Sequence, residues 1–583
     1  MTNADIARVF EEVADMLEIK GEDPFRVNSY RRVARTIGEL STDAALLAAR
    51  GELESLPGVG KGSAAKIREL LDTGKLTLRE ELAREVPQSL LRLLEIPGLG
   101  PKKAATLWRE RGIDSLERLK TALEAGGLEE LKGFGRKTVE QLREGLDFIQ
   151  RSAGRTRLGD AWPVAETFRQ AVAGMPGVRR VEHAGSLRRG RETVGDLDLL
   201  CIADDGPGAI RGFTRLAGVK KVLAAGDTKA SVLVEWSAGR EIQIDLRVVP
   251  PESFGSAWQY FTGSKEHNVR LRERAVKRGR TLNEYGLADA KSGRVVASRT
   301  EEEIYAALGL PWIPPELRED RGELELEEIP ADLLTLDDIR GDLHVHTVAS
   351  DGRNTIEEMA LAARRLGWKY ICITDHSQSS TIANGLDEQR LRRHVRDIRR
   401  AAERTRGITI WAGAEVDILA DGALDYSDEV LAELDFVIAS IHAGLGKDPE
   451  TNTRRTLAAM RNPYVNMIGH PTGRMIQVRE AMGLDIEAIC REAARTGTAL
   501  EINANHYRLD LRDQHIQIAR RCGAMLCIGC DAHGPDGFEQ MRFGVMTARR
   551  AGTLRGEVLN TRTARQIEAF VRAKRKPRRA ADS

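Results

Sequence analysis

Residues 185–200 of this 583-residue chain read GSLRRGRETVGDLDLL. Side chains two positions apart on a strand point to the same face, so Asp196 and Asp198 converge on one side. Leu197 and Leu199 point the other way, toward a core. The stretch therefore predicts a half-buried strand that presents two carboxylates close to a glycine-serine turn.

A third carboxylate belongs to a neighbouring predicted strand, residues 242–249, whose alternation leaves Asp245 on the polar face. Three crowded carboxylates repel one another strongly unless cations neutralise them. Mg²⁺ bound by a few carboxylates together with substrate phosphates is the usual arrangement. The pattern therefore predicts a two-metal site formed by Asp196, Asp198 and Asp245. A solvated Asp-x-Asp pair at a strand edge is the alternative interpretation.

These strands lie in a mixed α/β region, residues 151–250, with further strands predicted over 178–184 and 231–236. A basic helical stretch, 264–280, follows this region. Upstream, apolar residues at helical spacing predict that residues 1–150 are all helix. A single core stops growing near roughly 250–300 residues, so a chain of this length is expected to form at least two domains.

The helical region contains an internal repeat of a glycine turn: LPGVGK at 56–61, IPGLGPK at 96–102 and a weaker copy, LKGFGRK, at 131–137. Glycines permit positive φ and remove side chains that would block a phosphate. The helix that follows offers free backbone N–H groups and the positive end of its dipole. An ordinary glycine-capped turn between helices is the alternative, but repeated copies favour sequence-independent binding of the DNA backbone.

Composition limits the remaining possibilities. The chain has 89 basic and 88 acidic residues, a net charge of +1, so local patches or backbone amides rather than bulk charge must hold any nucleic acid. No run of eighteen apolar residues occurs, which excludes a membrane span, and the N-terminus lacks a signal pattern. The six cysteines form no paired CxxC zinc signature and are expected to be buried free thiols in a cytoplasmic protein.

The string of Gly-Ser, Asp-x-Asp and a distant Asp resembles the nucleotidyltransferase superfamily. The sequence YFTGSKEHN at 260–268 precedes a basic helix, and with the glycine turns it makes residues 1 to about 320 resemble a family X DNA polymerase, the polymerase-beta-like group. The resemblance implies Mg²⁺-dependent catalysis by the aspartate triad. It implies nucleotide contacts from Gly185, Ser186, Arg189, Gly195, Tyr260, Phe261, Gly263, Lys265, Asn268 and Arg272, and DNA contacts from Gly58, Gly60, Lys61, Gly98, Gly100 and Lys102.

One further activity of that family depends on a lysine. Some members use an N-terminal lysine as a Schiff-base nucleophile that removes 5′-deoxyribose phosphate, and Lys66 matches its place. Gly62, however, stands where those members carry a supporting lysine. A surface or phosphate-contacting lysine is therefore the alternative for Lys66.

Beyond residue 339, short apolar runs end in polar motifs at intervals of about 30 residues, the size of a strand plus a crossover helix. Seven such units predict a parallel α/β barrel of the (β/α)7 type. Histidines and carboxylates follow successive strands, so they would gather at the rim where barrel active sites form. Single histidines are often satisfied core residues, but six at strand ends indicate a cluster for Zn²⁺ or Mn²⁺.

The cluster resembles the polymerase-and-histidinol-phosphatase (PHP) domain, a metal-dependent phosphoesterase with nine ligands for three metals. The residues that fill the nine places are His344, His346, Asp351, His376, Glu415, His442, His470, Asp531 and His533. The resemblance implies one metal on His344, His346, Glu415 and Asp531, a second on Glu415, His442 and His470, and a third on Asp351, His376 and His533. Arg474, Arg479 and Arg508 could grip phosphate or form surface ion pairs.

Together these patterns predict a multidomain α+β protein. We expect a helix-hairpin-helix domain at 1–85, a fingers-like helical domain at 86–150, a nucleotidyltransferase palm at 151–250, a thumb-like domain at 251–320, a linker at 321–338, a PHP domain at 339–570 and a basic tail at 571–583. The nuclease domain is expected to fold without residues 1–320.

The function predicted from these resemblances is that of a bacterial-type family X DNA polymerase that fills short gaps during repair. Its PHP domain would process 3′ ends as a 3′–5′ exonuclease. The expected partners are gapped or primed duplex DNA and dNTPs, and the protein is expected to be a cytoplasmic, nucleoid-associated monomer. The alternatives are a DNA-binding scaffold with inactive metal sites and a PHP phosphoesterase acting on small phosphomonoesters.

Overall fold

The computed structural model describes residues 1, 3–38, 40, 44–56, 58–94, 96, 98–152, 154–237 and 239–575. The chain divides into two compact units: Met1–Ala153 with Gln477–Arg479, and Gly154–Ile476 with Glu480–Ser583. Most of the basic tail, from residue 576 onward, lies outside the described residues. Within the described part of the chain, each helix is too short or too polar to span a lipid bilayer.

The described residues of the segment 1–152 form helices joined by turns, which confirms the prediction for this region. Its apolar faces form one core that includes Phe10, Leu17, Leu93 and Phe134. The helices are α1 (Asn3–Lys20), α2 (Pro24–Gly38), α3 (Ala44–Ala49), α4 (Lys61–Thr73), α5 (Thr77–Glu85), α6 (Ser89–Leu93), α7 (Pro101–Arg111), α8 (Leu116–Ala125) and α9 (Arg136–Ser152).

The glycine turns at 56–60, 96–100 and 131–135 share one backbone geometry. In each, the first glycine has a φ between +76° and +88°, and the next amide donates to the carbonyl three residues earlier at 3.0–3.1 Å. A helix, α4, α7 or α9, begins directly after each turn. Pro57 and Pro97 lie outside the described residues. The weaker third copy in the sequence is therefore a third structural copy as well.

The second unit begins with the region predicted to be the palm, a five-stranded mixed sheet in the order β2-β4-β7-β6-β5, beside a two-stranded ribbon of β1 and β3. Its predicted strands all occur. The elements are β1 (Thr156–Arg157), α10 (Leu158–Ala173), β2 (Val178–His183), α11 (Gly185–Arg188), β3 (Thr193–Val194), β4 (Asp196–Ala203), α12 (Gly206–Phe213), β5 (Val219–Ala225), β6 (Lys229–Ser237) and β7 (Arg240–Val248).

A small thumb-like layer follows the palm. Helix α13 (Phe254–Thr262) ends at Gly263, and the basic helix predicted next is α14 (Lys265–Lys277). The antiparallel strands β8 (Arg280–Asn283), β9 (Gly286–Asp289) and β10 (Val295–Ala297) precede α15 (Glu301–Ala307). In the expected linker, Glu323 is buried and its carboxylate accepts a hydrogen bond from His267 Nδ1 at 2.7 Å. This part of the segment therefore packs into the thumb-like layer.

The C-terminal domain is a seven-stranded parallel sheet whose strands run in sequence order, as predicted. A bridge between Val345 and Ala532 brings the first and last strands together and nearly closes the barrel. The strands are β11 (Gly341–Val345), β12 (Tyr370–Ile373), β13 (Thr409–Asp417), β14 (Phe436–Ser440), β15 (Met467–Ile468), β16 (Ala499–Asn503) and β17 (Leu526–Gly529). The helices are α16 (Ile356–Arg365), α17 (Glu388–Arg404), α18 (Asp428–Leu431), α19 (Pro449–Arg461), α20 (Ile486–Thr496), α21 (Asp513–Arg521), α22 (Met541–Arg550) and α23 (Ala564–Arg575).

The palm and the barrel share part of one apolar core. Ile476, Leu509 and Phe543 of the barrel domain belong to the same buried cluster as the palm strands, and Phe543 contacts Trp162 edge-on with ring centroids 6.2 Å apart. Arg157 lies 3.8 Å from the ring centroid of Tyr507. A separated barrel domain would expose these side chains to water, which argues against the expectation that it folds by itself.

A buried ion cluster joins the palm to the thumb-like layer. The Glu301 carboxylate accepts hydrogen bonds from Arg188 at 2.7 and 2.8 Å and from Arg318 at 2.6 Å, and the side chains of Glu301 and Arg318 are 2% and 0% exposed. Burial works to raise the pKa of Glu301, but the two guanidinium groups lower it to about 2.

We expect Glu301→Ala to lower the free energy of unfolding by about 3–5 kcal/mol, because it leaves two buried guanidinium groups without their counter-ion. The matched control is Glu302→Ala, an exposed neighbour on the same helix, which should change it by less than about 0.5 kcal/mol. Since the pKa of Glu301 is depressed, its contribution is present above pH 4.5 and is lost as pH falls toward 2. Equal unfolding curves for the two variants would contradict this account.

Candidate active sites and DNA interface

The predicted aspartate triad lies on two neighbouring interior strands of the five-stranded sheet. Strands β4 and β7 are parallel neighbours, and Asp198 lies directly opposite Asp245 in their register. Asp196 precedes Asp198 on the same face and is exposed. Burial, followed by the charges of Asp196 and Asp245, raises the pKa of Asp198 to about 7. The site is thus rich in negative charge and suited to a cation.

A lysine that the sequence patterns did not reveal neutralises part of this charge. Lys229 Nζ lies 2.6 Å from Asp245 Oδ2, and Gln243 donates to Asp245 Oδ1 at 2.7 Å. Burial favours a higher pKa for Asp245, but hydrogen bonds from Lys229, Gln243 and Ser231 lower it. With Lys229 bound to Asp245, the triad does not bring three ligand atoms within 4.8 Å of one another, unlike the described groups in the barrel.

The glycine-serine turn packs directly onto the triad. Gly185 has a φ of +62°, and a Cβ added there would lie 2.1 Å from Asp198 Oδ2, so only glycine fits. Ser186 follows it on the short helix α11 and is half-buried. Gly195 directly precedes β4. The turn and the carboxylates therefore form one continuous surface.

The predicted sugar and base contacts lie on two consecutive helices. Tyr260 and Phe261 stand in the last turn of α13, with ring centroids 5.1 Å apart and planes at 81°. Asn268 on α14 donates to the Tyr260 carbonyl at 2.7 Å. Lys265 is exposed at the start of α14 and Arg272 is half-buried on it.

Arg189, a predicted phosphate contact, is held by protein partners. Its Nε donates to Glu319 Oε1 at 3.0 Å, and its Nη1 donates to the carbonyl of Thr262, beside the Gly263 turn. Its Nη2 makes no hydrogen bond to the described residues. Two guanidinium nitrogens are thus fixed, and one remains to meet a ligand.

In the helical unit, the predicted DNA contacts lie at helix starts. Gly60 and Gly100 are the N-caps of α4 and α7, and neither helix start has a side-chain cap. Cβ atoms added at Gly60, Gly98 or Gly100 would meet nothing within 4 Å. Lys61 is exposed at the start of α4, and Lys102 is also exposed. Gly58 differs, because a Cβ there would lie 2.4 Å from Arg32 Cδ. The turns therefore present backbone N–H groups to the surface.

Lys66, the predicted lyase residue, lies on α4 one turn past the first glycine turn. Its Nζ lies 3.4 Å from the Gly62 carbonyl oxygen. The side chain is half-buried at the surface of the helical unit.

In the barrel domain, nine predicted ligands form one connected, largely buried cluster at the ends of the strands. Glu415 lies at its centre. Its Oε2 is 3.0 Å from His376 Nδ1 and 3.5 Å from His344 Nε2, and its Oε1 is 2.9 Å from His470 Nε2 and 3.4 Å from His442 Nε2. Positive φ values at His470 (+25°) and Asp531 (+53°) show backbone strain at two of the ligands.

Three groups of donor atoms in this cluster lie close enough to hold an ion. The groups are His346, Asp351, His376 and His533; His344, His346 and Asp531; and His376, Glu415 and His442. The family pattern assigns one metal to Asp351, His376 and His533. The first group contains these three residues, and the structure adds His346 to them. It also places His376 beside Glu415 and His442.

A second layer of carboxylates orients the ligands. His344 Nδ1 donates to Glu501 Oε1 at 2.6 Å, and His442 Nδ1 donates to Asp417 Oδ1 at 2.5 Å. Each bond engages Nδ1 and turns the opposite ring nitrogen, Nε2, toward Glu415, so Nε2 is the nitrogen available to a metal. Asp375, fixed by Thr347, Ser350 and His394, braces the loop that carries Asp351.

The buried polar atoms of the cluster fit a metal site. Seven of its buried nitrogen and oxygen atoms have no hydrogen-bond partner among the described residues: His344 Nε2, His346 Nδ1 and Nε2, His376 Nδ1, Glu415 Oε1 and Oε2, and His470 Nδ1. Buried polar atoms are costly unless they are satisfied. Nitrogen and carboxylate donors in this arrangement suit divalent metals.

Burial and close charged neighbours shift the pKa values of the cluster strongly. Burial lowers the pKa of His346, and the neighbouring His533 and His376 lower it further. Burial works to raise the pKa of Glu415, but the surrounding histidines hold it well below its usual value. Burial works to lower the pKa of His442 and of His533, but the neighbouring carboxylates raise it to about 9 in both. These histidines must therefore lose protons when a metal binds, and metal affinity should rise with pH.

Two of the arginines suggested as phosphate contacts have different surroundings. Arg474 is buried; its Nη1 lies 2.8 Å from Glu192 of the palm, so it forms an ion pair inside the unit. Arg508 Nε lies 3.6 Å from Asp531 Oδ2, and its buried Nη1 has no hydrogen-bond partner among the described residues. Arg508 is therefore directed at the metal cluster.

Sequence reasoning missed Lys229 and the bonds of the second layer. Asp375 and Glu501 stand at strand ends like the ligands, and that position was the available signal for them. Nothing local marks Lys229, because it meets Asp245 only through the pairing of β6 with β7.

Comparisons with known proteins agree with this architecture. A helix-hairpin-helix domain matches residues 1–76, a SAM-like helix-hairpin-helix tandem matches 90–147, the DNA polymerase beta thumb matches 257–319 and the PHP domain matches 342–505. The PHP region is also similar to a probable phosphatase of Syntrophotalea carbinolica, 34% identical over 33% of this chain and 79% of that protein.

Two polymerases match larger parts of the chain. DNA polymerase lambda of Rattus norvegicus is 28% identical over 54% of this chain and 56% of its own length. The DNA polymerase/3′-5′ exonuclease PolX of Bacillus subtilis is 40% identical over 98% of this chain and 100% of its own length. With the triad and the histidine cluster, this full-length similarity shows that the chain belongs to the family X DNA polymerases that carry a C-terminal PHP domain.

Proposed function

We propose that this protein fills short gaps in DNA with its palm and hydrolyses phosphodiester bonds at DNA 3′ ends with its barrel domain. The observation that carries the proposal is the presence of two separate sets of candidate metal ligands in one chain. One is the oxygen-only set at Asp196, Asp198 and Asp245, and the other is the buried histidine and carboxylate cluster around Glu415.

In the palm and the thumb-like layer, different residues bind the triphosphate, the sugar and the base of the incoming nucleotide. Backbone N–H groups of the Gly185 turn, the Ser186 hydroxyl, Arg189 and Lys265 bind the triphosphate. Tyr260 and Phe261 pack against the incoming sugar and exclude ribose, and Asn268 and Arg272 contact the minor-groove side of the new pair. Two Mg²⁺ ions held by the triad would activate the 3′-hydroxyl and stabilise the leaving oxygen.

In the barrel, Glu501 and Asp417 fix the tautomers of His344 and His442, and Arg508 binds the scissile phosphate through its unpartnered Nη1. Divalent metals held there would activate a water molecule and neutralise the phosphate.

The donor chemistry distinguishes the metals of the two sites. Mg²⁺ suits the triad, because it prefers oxygen ligands and substrate phosphates. Mn²⁺ or Zn²⁺ suits the barrel, because its set mixes imidazole and carboxylate. Elemental analysis of the purified full chain tests the assignment of Mn²⁺ or Zn²⁺ to the barrel. If the Glu415-dependent site contained Mg²⁺ alone, that assignment would be refuted.

We propose that the helix-hairpin-helix region binds the DNA backbone and that the substrate is gapped or primed duplex. We also propose that the protein acts as a monomer at the nucleoid, in the cytoplasm. The surface position of Lys66 is compatible with a lyase activity on 5′-deoxyribose phosphate, and borohydride trapping of a Lys66-dependent covalent adduct would test it.

The test of the overall proposal is the product ladder from a gapped, labelled duplex, with and without dNTPs, in Mg²⁺ and in Mn²⁺. We expect extension with dNTPs and stepwise shortening without them. A scaffold with inactive sites would give neither. A small-molecule phosphatase would leave the DNA intact but hydrolyse nucleoside monophosphates.

We expect Gly98→Val to weaken binding to duplex DNA by roughly tenfold, or 1.4 kcal/mol, equally across sequences, because its side chain takes the place of a backbone phosphate. Gly112→Val is the matched control: Gly112 also has positive φ and open space, but it caps the opposite end of α7. Affinity of the parent should fall steeply with salt. Equal losses in both variants, or salt-independent binding, would contradict the prediction.

A further inference from the structure

One helix of the PHP domain, α22, lies against the palm segment predicted to bind the triphosphate. Arg550 Nη1 donates to the carbonyl oxygen of Arg189 at 2.8 Å. A Cβ added at Gly190 would lie 3.0 Å from Met546 Cβ on the same helix. The end of the segment that begins at the Gly185 turn is therefore packed against a helix that belongs to the other catalytic domain.

A buried ion network continues this contact. Arg550 Nη1 also donates to Glu319 Oε1 at 2.9 Å, and Arg189 Nε donates to the same oxygen at 3.0 Å. Arg191 lies 3.4 Å from Glu319 Oε2. The side chains of Arg550, Glu319 and Arg189 are only 4%, 10% and 13% exposed. Solvent therefore screens these charges little, and the geometry of the pairs is well defined.

Arg550 is paired with two carboxylates at the same time. Its Nε and Nη2 both donate to Asp513 Oδ2, at 3.1 and 3.0 Å, while its Nη1 contacts Glu319. The planar guanidinium thus spans two carboxylates at once, which a lysine cannot do. Without Arg550, Glu319 would lose a partner and would be free to shift relative to Arg189.

The network ends at the nucleotide site. Glu319 and the Thr262 carbonyl hold two nitrogens of Arg189 and leave its Nη2 as the donor for a phosphate. Thr262 closes the helix that carries Tyr260 and Phe261. A shift of Glu319 would therefore misdirect Arg189.

We propose that Arg550 of the PHP domain is a positioning residue for the polymerase reaction: it fixes Glu319, which orients Arg189 toward the incoming triphosphate. The inference rests on the proposed role of Arg189 in nucleotide binding. It makes polymerase activity depend on the fold of the PHP domain while requiring none of that domain's chemistry.

The neighbouring residue provides a matched control. Arg549 stands next to Arg550 on α22 and also pairs with a glutamate, Glu316, at 2.8 Å; its Nη1 donates to the Leu334 carbonyl. It makes no hydrogen bond to Arg189. Arg549→Met therefore removes an equally large charged side chain from the same helix and leaves the network intact.

The experiment measures gap filling by full-length variants as a function of dNTP concentration, with 3′-end hydrolysis as a folding control. We expect Arg550→Met to raise KM for dNTP by about tenfold with kcat changed by less than about threefold, and Arg549→Met to leave KM within about twofold of the parent. Because Arg550 acts through Arg189, the double variant Arg189→Met/Arg550→Met should have the KM of Arg189→Met alone.

The outcomes separate the inference from its premise. An unchanged KM in Arg189→Met would refute the nucleotide role of Arg189. A raised KM in Arg189→Met with a normal KM in Arg550→Met, or additive effects in the double variant, would overturn the role of Arg550. If Arg550→Met fails to hydrolyse 3′ ends, Arg550→Lys takes its place. A KM for dNTP of Arg550→Lys above that of Arg549→Met then supports the proposal, and equal KM values for these two variants overturn it.

Discussion

Asp198→Ala should reduce nucleotide addition by at least about 1,000-fold, or about 4 kcal/mol, while 3′-end hydrolysis and DNA binding stay near parental levels. Asp198 lies opposite Asp245 in the sheet and directly beneath the Gly185 turn. Its removal takes a ligand from the centre of the proposed metal site. The measurement is primer extension on gapped duplex at saturating dNTP.

The matched control for this variant is Asp204→Ala, an exposed carboxylate just past the end of the same strand, which should extend primers normally. Since the pKa of Asp198 is raised to about 7, protons compete with the metal, so apparent metal affinity at the palm should fall as pH drops below 7. Near-parental extension by Asp198→Ala would show that the triad is misassigned.

The second large effect is expected at the barrel. Glu415→Ala should reduce 3′-end hydrolysis by at least about 1,000-fold, because Glu415 is surrounded by five histidine ligands and is the proposed bridge between two metals. His344→Ala should behave similarly. Gap filling should persist in both, since neither residue touches the palm network around Arg550. The release of labelled nucleotide from a 3′ end measures the effect.

Glu433→Ala, an exposed carboxylate of the same domain paired with Arg392, is the matched control and should hydrolyse 3′ ends at the parental rate. Loss of bound metal in Glu415→Ala but not in Glu433→Ala should accompany the loss of activity. Full hydrolysis by Glu415→Ala would mean that the cluster is structural or acts on another substrate.

Local patterns predicted much of the fold, because strand alternation and strand-helix spacing are local properties of a sequence. Strand β4 contains the alternation around Asp198, and the polar motifs stand at the ends of the seven barrel strands in sequence order. The nine barrel ligands could be named because each stands at a strand end, and parallel strands bring those ends together.

The contacts that could not be predicted are long-range ones. Lys229 reaches Asp245 through the pairing of β6 with β7, and Arg550 reaches Arg189 across 361 positions of sequence. The sequence around Lys229 or Arg550 does not indicate these contacts, because they depend on strand pairing and on how complete domains pack. For the same reason, the sequence allowed Arg474 as a phosphate contact, whereas in the structure it is buried and paired with Glu192.

The shared core of palm and barrel changes how the two activities should be separated. Deleting residues 1–320 would expose Ile476, Leu509 and Phe543, and it would leave Arg550 without Glu319. Loss of nuclease activity in such a fragment would therefore reflect damaged packing as much as a missing site. Point variants in the full chain avoid this ambiguity.

The central claim is that one chain holds two separate active sites. The most direct measurement follows one 5′-labelled primer in a gapped duplex, with and without dNTPs, for the parent, Asp198→Ala and Glu415→Ala. The account predicts that Asp198→Ala shortens the primer but never extends it, and that Glu415→Ala extends the primer but never shortens it. Loss of both activities in either variant would contradict the account, because the two reactions would then share a site.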